Sequence, residues 1–297
     1  MQTVLLAMPG NEAMAAAIAP GLQAKIIAPN IRAFPDGETY LRIDAELNAR
    51  KIAIVQTLPH PDGKFLPLIF AADTARRLGA VEVGLVAPYL AYMRQDRQFQ
   101  PGEAVTSQSV ARVLSTSFDW LVTIDPHLHR YKSLSDIYTI PSSVLHAAPL
   151  MADWIGKNVD EPLLIGPDAE STQWVGEVAK RVNAPFTVLE KTRRGDREVE
   201  VRLRDQIEMH QRTPVLVDDI ISSGQTMLTT LRLVKGLSKR RPVCIAVHGI
   251  FADGSDFRLE TEGARLVTAN TVPHASNAMD VSGLLASALL QMAENMR

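Results

Sequence analysis

Residues 215–227 read Val-Leu-Val-Asp-Asp-Ile-Ile-Ser-Ser-Gly-Gln-Thr-Met, and their types at this spacing suit one kind of chemistry. Residues 215–217 are a short apolar run of the kind shown by a buried parallel strand. Asp218 and Asp219 are read as its end. Ser222, Ser223, Gly224, Gln225 and Thr226 make a small polar turn, and a helix is expected over 227–237. A strand, a tight turn and a helix start gather backbone N–H groups at one point, where the helix dipole also favours an anion. Gly224 lets the backbone approach closely and the hydroxyls add donors. Two carboxylates beside a phosphate make sense when a sugar lies between them, because carboxylates accept from vicinal hydroxyls and hold a divalent metal. The stretch reads as a ribose-phosphate site. The plainer reading is a strand–loop–helix whose acidic pair caps the turn.

Four further polar clusters stand out. Phe34-Pro35-Asp36-Gly37-Glu38 is a turn: either a solvated one with an exposed ring, or an aromatic platform flanked by carboxylates that stacks on adenine and accepts from its amino group. Tyr92-Met93-Arg94-Gln95-Asp96-Arg97 has two guanidinium groups three apart, which grip a polyphosphate bidentately or close a salt-bridged turn through Asp96. Asp125-Pro126-His127-Leu128-His129 follows a strand and offers metal ligands, with Gly166-Pro167-Asp168 adding a carboxylate after another strand. Oxygen ligands near phosphates favour Mg²⁺ over zinc. Residues 190–197, Glu-Lys-Thr-Arg-Arg-Gly-Asp-Arg, are either a solvated hairpin or a lid that carries Lys191 and Arg193 over a reacting phosphate. No Gly-x-x-x-x-Gly-Lys-Ser/Thr stretch occurs, so a bound nucleotide would not use that cradle.

The elements that must position these clusters alternate. Strands are expected at 3–7, 25–28, 40–43, 51–56, 83–87 and 120–124, with helices at 13–19, 65–78 and near 105–115. The second half repeats the scheme. Helices are expected at 145–155, 172–182 and 281–295, and strands at 162–165, 187–189, 215–217, 243–247 and 264–267. Strand–helix alternation twice over implies two α/β domains with mostly parallel sheets, residues 1–140 and 141–297. The closing helix is free to pack back on the first domain. Ligands of such sheets bind at the carboxyl ends of strands, where the polar clusters fall.

Whole-chain composition narrows the partners. The 297 residues carry a formal charge of −2, with 46% hydrophobic and 22% charged, as in a soluble globular protein, and give no electrostatic case for nucleic acid. The single cysteine, Cys244, lies in an apolar run and fits a buried thiol in a reducing, cytoplasmic setting. No apolar span of eighteen residues is present, so no membrane partner is expected. No charged-then-apolar leader opens the chain.

The 215–227 stretch resembles the phosphoribosyl diphosphate-binding motif of type I phosphoribosyltransferases and ribose-phosphate diphosphokinases, which usually have a small residue or Gly where Gln225 stands. Phe-Pro-Asp-Gly-Glu, Arg-Gln-Asp-Arg, Asp-Pro-His, Gly-Pro-Asp, Lys-Thr-Arg and Val-Asp-Asp-Ile-Ile-Ser-Ser-Gly occur in the order seen in the ribose-phosphate diphosphokinase family, over nearly the whole chain. The resemblance implies two tandem type I phosphoribosyltransferase domains, of which only the second keeps the acidic loop. It implies transfer of a diphosphoryl group from ATP to ribose 5-phosphate with Mg²⁺. Phe34, Asp36 and Glu38 would form an adenine pocket shared between subunits of a homo-oligomer, and Arg94, Gln95 and Arg97 would hold ATP. His127 and Asp168 would bind Mg²⁺, while Lys191 and Arg193 would be the catalytic lid cations. Asp218 and Asp219 would meet the ribose hydroxyls and a metal, and Ser222 to Thr226 the 5-phosphate. His129 and Arg194 depart from the commoner pattern and receive no role. A phosphoribosyltransferase and a non-catalytic regulatory homologue remain as alternatives.

Overall fold

The computed structural model describes residues 3–168, 171–194, 198–203 and 209–295. The chain forms two compact units. The first runs to Leu145 and also takes the chain from Ser282 onward; the second is His146–Val281.

The first unit is laid down as β1 (Thr3–Ala7), α1 (Glu12–Leu22), β2 (Lys25–Ile27), β3 (Asn30–Ala33), β4 (Thr39–Arg42), β5 (Lys51–Val55), α2 (Asp62–Arg77), β6 (Glu82–Ala87), α3 (Thr106–Ser117), β7 (Trp120–Ile124) and β8 (Ser142–Leu145). Six parallel strands pair in the order β2-β1-β5-β6-β7-β8, and β3 and β4 form a separate antiparallel ribbon. The central strands are apolar throughout because both faces are covered. Leu6, Ile52, Ile54, Leu85 and Leu121 join Leu68, Ala72 and Ala75 of α2 and Leu114 of α3 in one core.

The second unit continues with α4 (Ala148–Asn158), β9 (Pro162–Gly166), α5 (Thr172–Val182), β10 (Phe186–Arg194), β11 (Glu198–Leu203), β12 (Thr213–Ile221), α6 (Gln225–Val234), β13 (Val243–Gly249), α7 (Ser255–Thr261), β14 (Arg265–Ala269) and β15 (Asn277–Met279). Its sheet order is β11-β10-β9-β12-β13-β14-β15, parallel except where β10 turns back as an antiparallel ribbon with β11. The last helix, α8 (Ser282–Asn295), packs beside α1 of the first unit, where a Cβ on Gly21 would stand 3.0 Å from Ala286.

Several expectations need correction. The first unit extends past residue 140: Ser142–Leu145 is the edge strand of its sheet, and the helix expected from 145 begins at Ala148. Ser-Ser-Val-Leu is too polar and too short to announce a strand by itself, and its pairing with β7 decides it. Asp218 and Asp219 do not end their strand. β12 runs on through both to Ile221, because β13 continues the ladder opposite, Asp218 against Ala246 and Ile220 against His248. The following helix starts at Gln225 rather than 227 and stops at Val234.

Both sheets contain a point where successive connections leave in opposite directions, between β1 and β5 in the first and between β9 and β12 in the second. The crevice beyond the carboxyl ends of such strands is the usual ligand site of an open α/β sheet.

Candidate active site

In the second unit, β9 and β12 are hydrogen-bonded neighbours, with Leu164 against Val215 and Ile165 against Leu216. Their carboxyl ends therefore emerge side by side. β9 delivers Gly166-Pro167-Asp168, and β12 delivers Asp218 and Asp219. The backbone N–H of Ser171 donates to the Asp168 carboxylate at 3.0 Å, and the Ser171 hydroxyl donates to the Asp168 carbonyl at 2.7 Å. A side chain on Gly166 would collide with that Ser171 hydroxyl, which explains the glycine.

Asp218 and Asp219 are both half-buried. The Asp218 carboxyl is pushed well above the ordinary carboxylate range, first by burial, then by repulsion from Asp219, with Asp168 adding to it. The Asp219 N–H, at 2.9 Å from Asp218 Oδ1, opposes the shift. Three carboxyl groups so placed form a centre of negative charge that a cation or sugar hydroxyls would relieve.

Beyond the strand, Ser222 and Ser223 lead into Gly224, whose φ of +68° is left-handed. A Cβ there would sit 2.8 Å from Ser255 Cβ, so both conformation and space require glycine. The loop is held from behind by α7: Ser255 Oγ donates to the Ser222 carbonyl at 2.7 Å, and Arg258 donates to the Ser223 carbonyl at 2.9 Å. No side chain caps α6, and the first N–H groups of a helix have no acceptor within it. The loop and the helix start thus present donors beside the acidic pair, an arrangement suited to a phosphorylated polyol. Ser255 and Arg258 were missed in the sequence, where nothing local ties them to a loop some 30 residues earlier.

Lys191, Arg193 and Arg194 lie on β10 in its ribbon with β11, where Lys191 pairs with Val201 and Arg193 with Val199. Their side chains, and residues 195–197 of the expected lid, lie outside the described part of the structure.

In the first unit, residues 34–38 are the turn of the β3–β4 ribbon. Phe34 N–H donates to the Glu38 carbonyl at 2.7 Å, Gly37 N–H to the Phe34 carbonyl at 2.9 Å, and Glu38 N–H to the Asp36 carboxylate at 3.2 Å. The Phe34 ring is 40% exposed and meets Tyr40 edge-on at 5.9 Å, with the Arg32 guanidinium over it at 4.8 Å. Arg94 and Arg97 are exposed on the loop after β6, and Gln95 is half-buried. That loop opens with Tyr92 in the left-handed region at φ 61°, held by its hydroxyl bond to Asp62.

After β7, Asp125 and His127 are both left-handed, at φ 35° and 57° on either side of Pro126. Such backbone is uncommon outside glycine and tends to gather at functional sites. It folds the loop so that His127 Nδ1 and His129 Nε2 are 3.1 Å apart. His127 is thus accompanied by a second imidazole in its own unit, whereas Asp168 belongs with Asp218 in the other.

Among the described residues no helix is long and apolar enough to cross a membrane. Cys244 is buried on β13, and its thiol is raised to about 12 by that burial.

Comparison with known proteins agrees with this geometry. Residues 3–117 match the family model of the N-terminal domain of ribose phosphate pyrophosphokinase, and residues 133–275 match that of the phosphoribosyl transferase domain. A ribose-phosphate pyrophosphokinase of Saccharolobus solfataricus is 31% identical over 84% of this chain and 87% of its own. One from Methanosarcina acetivorans is 30% identical over 96% of this chain and 98% of its own. In fold, the chain is similar to the crystal structure of phosphoribosylpyrophosphate synthetase from Mycobacterium smegmatis, with a TM-score of 0.87, 23% identity and coverage of 99% and 100% of the two chains. An α/β chain whose two units each match a phosphoribosyltransferase-type model, with relatives this similar along most of its length, belongs to the ribose-phosphate pyrophosphokinase family.

Proposed function

We propose that this protein transfers the diphosphoryl group of ATP to the anomeric hydroxyl of ribose 5-phosphate, giving AMP and 5-phosphoribosyl 1-diphosphate. The observation that carries the reading is the second unit's crevice: three carboxyl groups at the carboxyl ends of β9 and β12, beside a glycine-bearing loop that opens α6. Carboxylates hold the ribose hydroxyls, and the donors of Ser222, Ser223, Gly224, Gln225 and Thr226 hold the 5-phosphate. The relatives' names supply the reaction class.

In this reading the anomeric oxygen attacks the β-phosphorus in line, the new O–P bond forming as the bridge to the α-phosphate breaks and AMP leaves. No protein nucleophile is needed, because positioning and charge stabilisation carry phosphoryl-type transfer. Lys191 and Arg193 are assigned to the charge that develops on the transferring group. Arg94, Gln95 and Arg97 grip ATP, and Phe34, Asp36 and Glu38 form the adenine pocket. The exposure of Phe34 at a ribbon tip suits a ring completed by a neighbouring subunit of a homo-oligomer. Mutual repulsion at Asp218, Asp219 and Asp168 and their all-oxygen donors fit a hard divalent cation. Mg²⁺ is assigned to His127 and Asp168, and Asp218 and Asp219 are assigned to a metal as well as to the sugar; a bound cation would neutralise phosphate charge. The buried lone cysteine accords with work in the cytoplasm.

The test is one incubation of pure protein with ATP, ribose 5-phosphate and Mg²⁺, with nucleotides followed by chromatography. AMP formed in step with phosphoribosyl diphosphate, and only when the sugar is present, is the expected result. ADP as product would overturn the placement of ATP, and binding of both ligands without turnover would favour a regulatory homologue.

A further inference from the structure

The loops after β6 and β7 are joined by an ion pair that the mechanism above does not use. Asp96 stands between Gln95 and Arg97, and its side chain is only 4% exposed. One nitrogen of Arg130, which follows the two histidines, reaches both carboxylate oxygens at 2.9 and 3.0 Å. The next residue joins in: Tyr131 donates its hydroxyl hydrogen to the Asp96 carbonyl at 3.2 Å and lies 2.9 Å from Ser107 Oγ. Ser107 N–H in turn meets the Gln95 carbonyl at 3.3 Å. On the outer side, the Phe99 ring lies under two guanidinium groups, that of Arg97 at 5.0 Å and that of Arg130 at 5.7 Å. Arg130 therefore touches the arginine loop twice, once through the Asp96 carboxylate and once through the ring on which Arg97 rests.

A contact that merely held the fold would need only the first of these. The second couples the position of Arg97 itself to Arg130. A buried carboxylate also tolerates no loosening of its partner, since an unpaired charge there is costly. We propose that Arg130 is a positioning residue for the nucleotide: it fixes the register of Arg94, Gln95 and Arg97 against His127 and His129, so that the polyphosphate is gripped from a preset spacing. This rests on the assignment of the arginine loop to ATP. Preset geometry of this kind matters because small displacements of a gripping group cost much binding and rate.

The experiment is titration calorimetry of ATP against the whole protein without sugar, together with steady-state kinetics. Arg130→Met is expected to raise the ATP dissociation constant and KM roughly tenfold or more. Its KM for ribose 5-phosphate stays within about twofold, because that site lies on a different loop set. Arg130→Lys, which keeps the charge on Asp96 and loses the planar guanidinium over Phe99, is expected to fall between. Should Arg130→Met fail to fold, the double variant Asp96→Asn/Arg130→Gln leaves no unpaired buried charge and is expected to show the same loss of ATP affinity. A folded variant that binds ATP as the wild type does would overturn the proposal. Arg97→Ala separates the two layers. If it weakens ATP binding while the Arg130 variants do not, the positioning role alone fails; if it too leaves ATP binding unchanged, the assignment of the loop fails.

Discussion

The two sheets have the same kind of crossover at different places, and the residues there have opposite fates. In the first unit, the carboxyl ends of β1 and β5 are closed by their own polar groups. The buried Asn11 donates its amide hydrogens to the Met8 and Pro9 carbonyls at 3.3 and 3.2 Å and accepts from Thr57 N–H at 2.8 Å. The equally buried Gln56 donates to the Thr57 carbonyl at 2.7 Å. In the second unit the corresponding ends of β9 and β12 carry Asp168, Asp218 and Asp219, whose like charges repel. One crevice has these polar groups satisfied within the protein. The other gathers three carboxyl groups that raise one another's proton affinity, as sites built to receive a ligand often do. Topology alone nominates both places, and the polar accounting separates them.

The comparison can be broken most sharply at Asp218. Asp218→Asn is expected to lower kcat/KM for ribose 5-phosphate by about 10²-fold or more, as loss of a well-placed charged group at phosphoryl-transfer sites does. The same change removes a repelling carboxylate and should raise Tm in the absence of Mg²⁺. A lowered Tm would mean that the acidic crevice is structural like its counterpart. Next in size is Gly224→Ala, which forces a left-handed alanine against Ser255. A rise of roughly tenfold in the ribose 5-phosphate KM is expected, since the loop's donors shift while the ATP side is untouched. An unchanged KM would remove the loop from phosphate binding.

Asn11→Ala tests the closed crevice. It strips the partner from a buried N–H and is expected to cost about 1–3 kcal/mol in urea unfolding. KM values for both substrates should not change, and an altered KM would make the first crevice a site as well. The smallest effect is a pH dependence. The folded-state pKa of Asp218 lies above its ordinary value, so the folded protein holds this proton more tightly than the unfolded chain. The group's contribution to stability is therefore fully present below the ordinary carboxylate range, near pH 4, and is lost as pH rises through the raised value. A divalent cation binds the ionised form, so the Tm increment from Mg²⁺ should be larger at pH 8 than at pH 5. An equal increment at both would detach the metal from Asp218.

Much of this was legible along the chain. Apolar runs and periodic stretches placed most of the central strands and helices, because a strand buried on both faces must be apolar throughout. The acidic pair, the hydroxyl-rich turn and Gly224 are contiguous, so their chemistry needed no tertiary knowledge, and the left-handed φ at Gly224 is what only glycine adopts freely. The polar edge strand Ser142–Leu145 and the continuation of β12 through Asp218 and Asp219 were not legible, because a neighbouring strand and not local composition decides each. Three further facts came only from the fold. Asp168 meets Asp218 because β9 and β12 pair; Asp96 is buried by an arginine 34 residues on; and the loop that opens α6 is braced by Ser255 and Arg258. Strand order and loop packing join residues remote in sequence, and no local period records which distant partner will satisfy a buried charge or carbonyl.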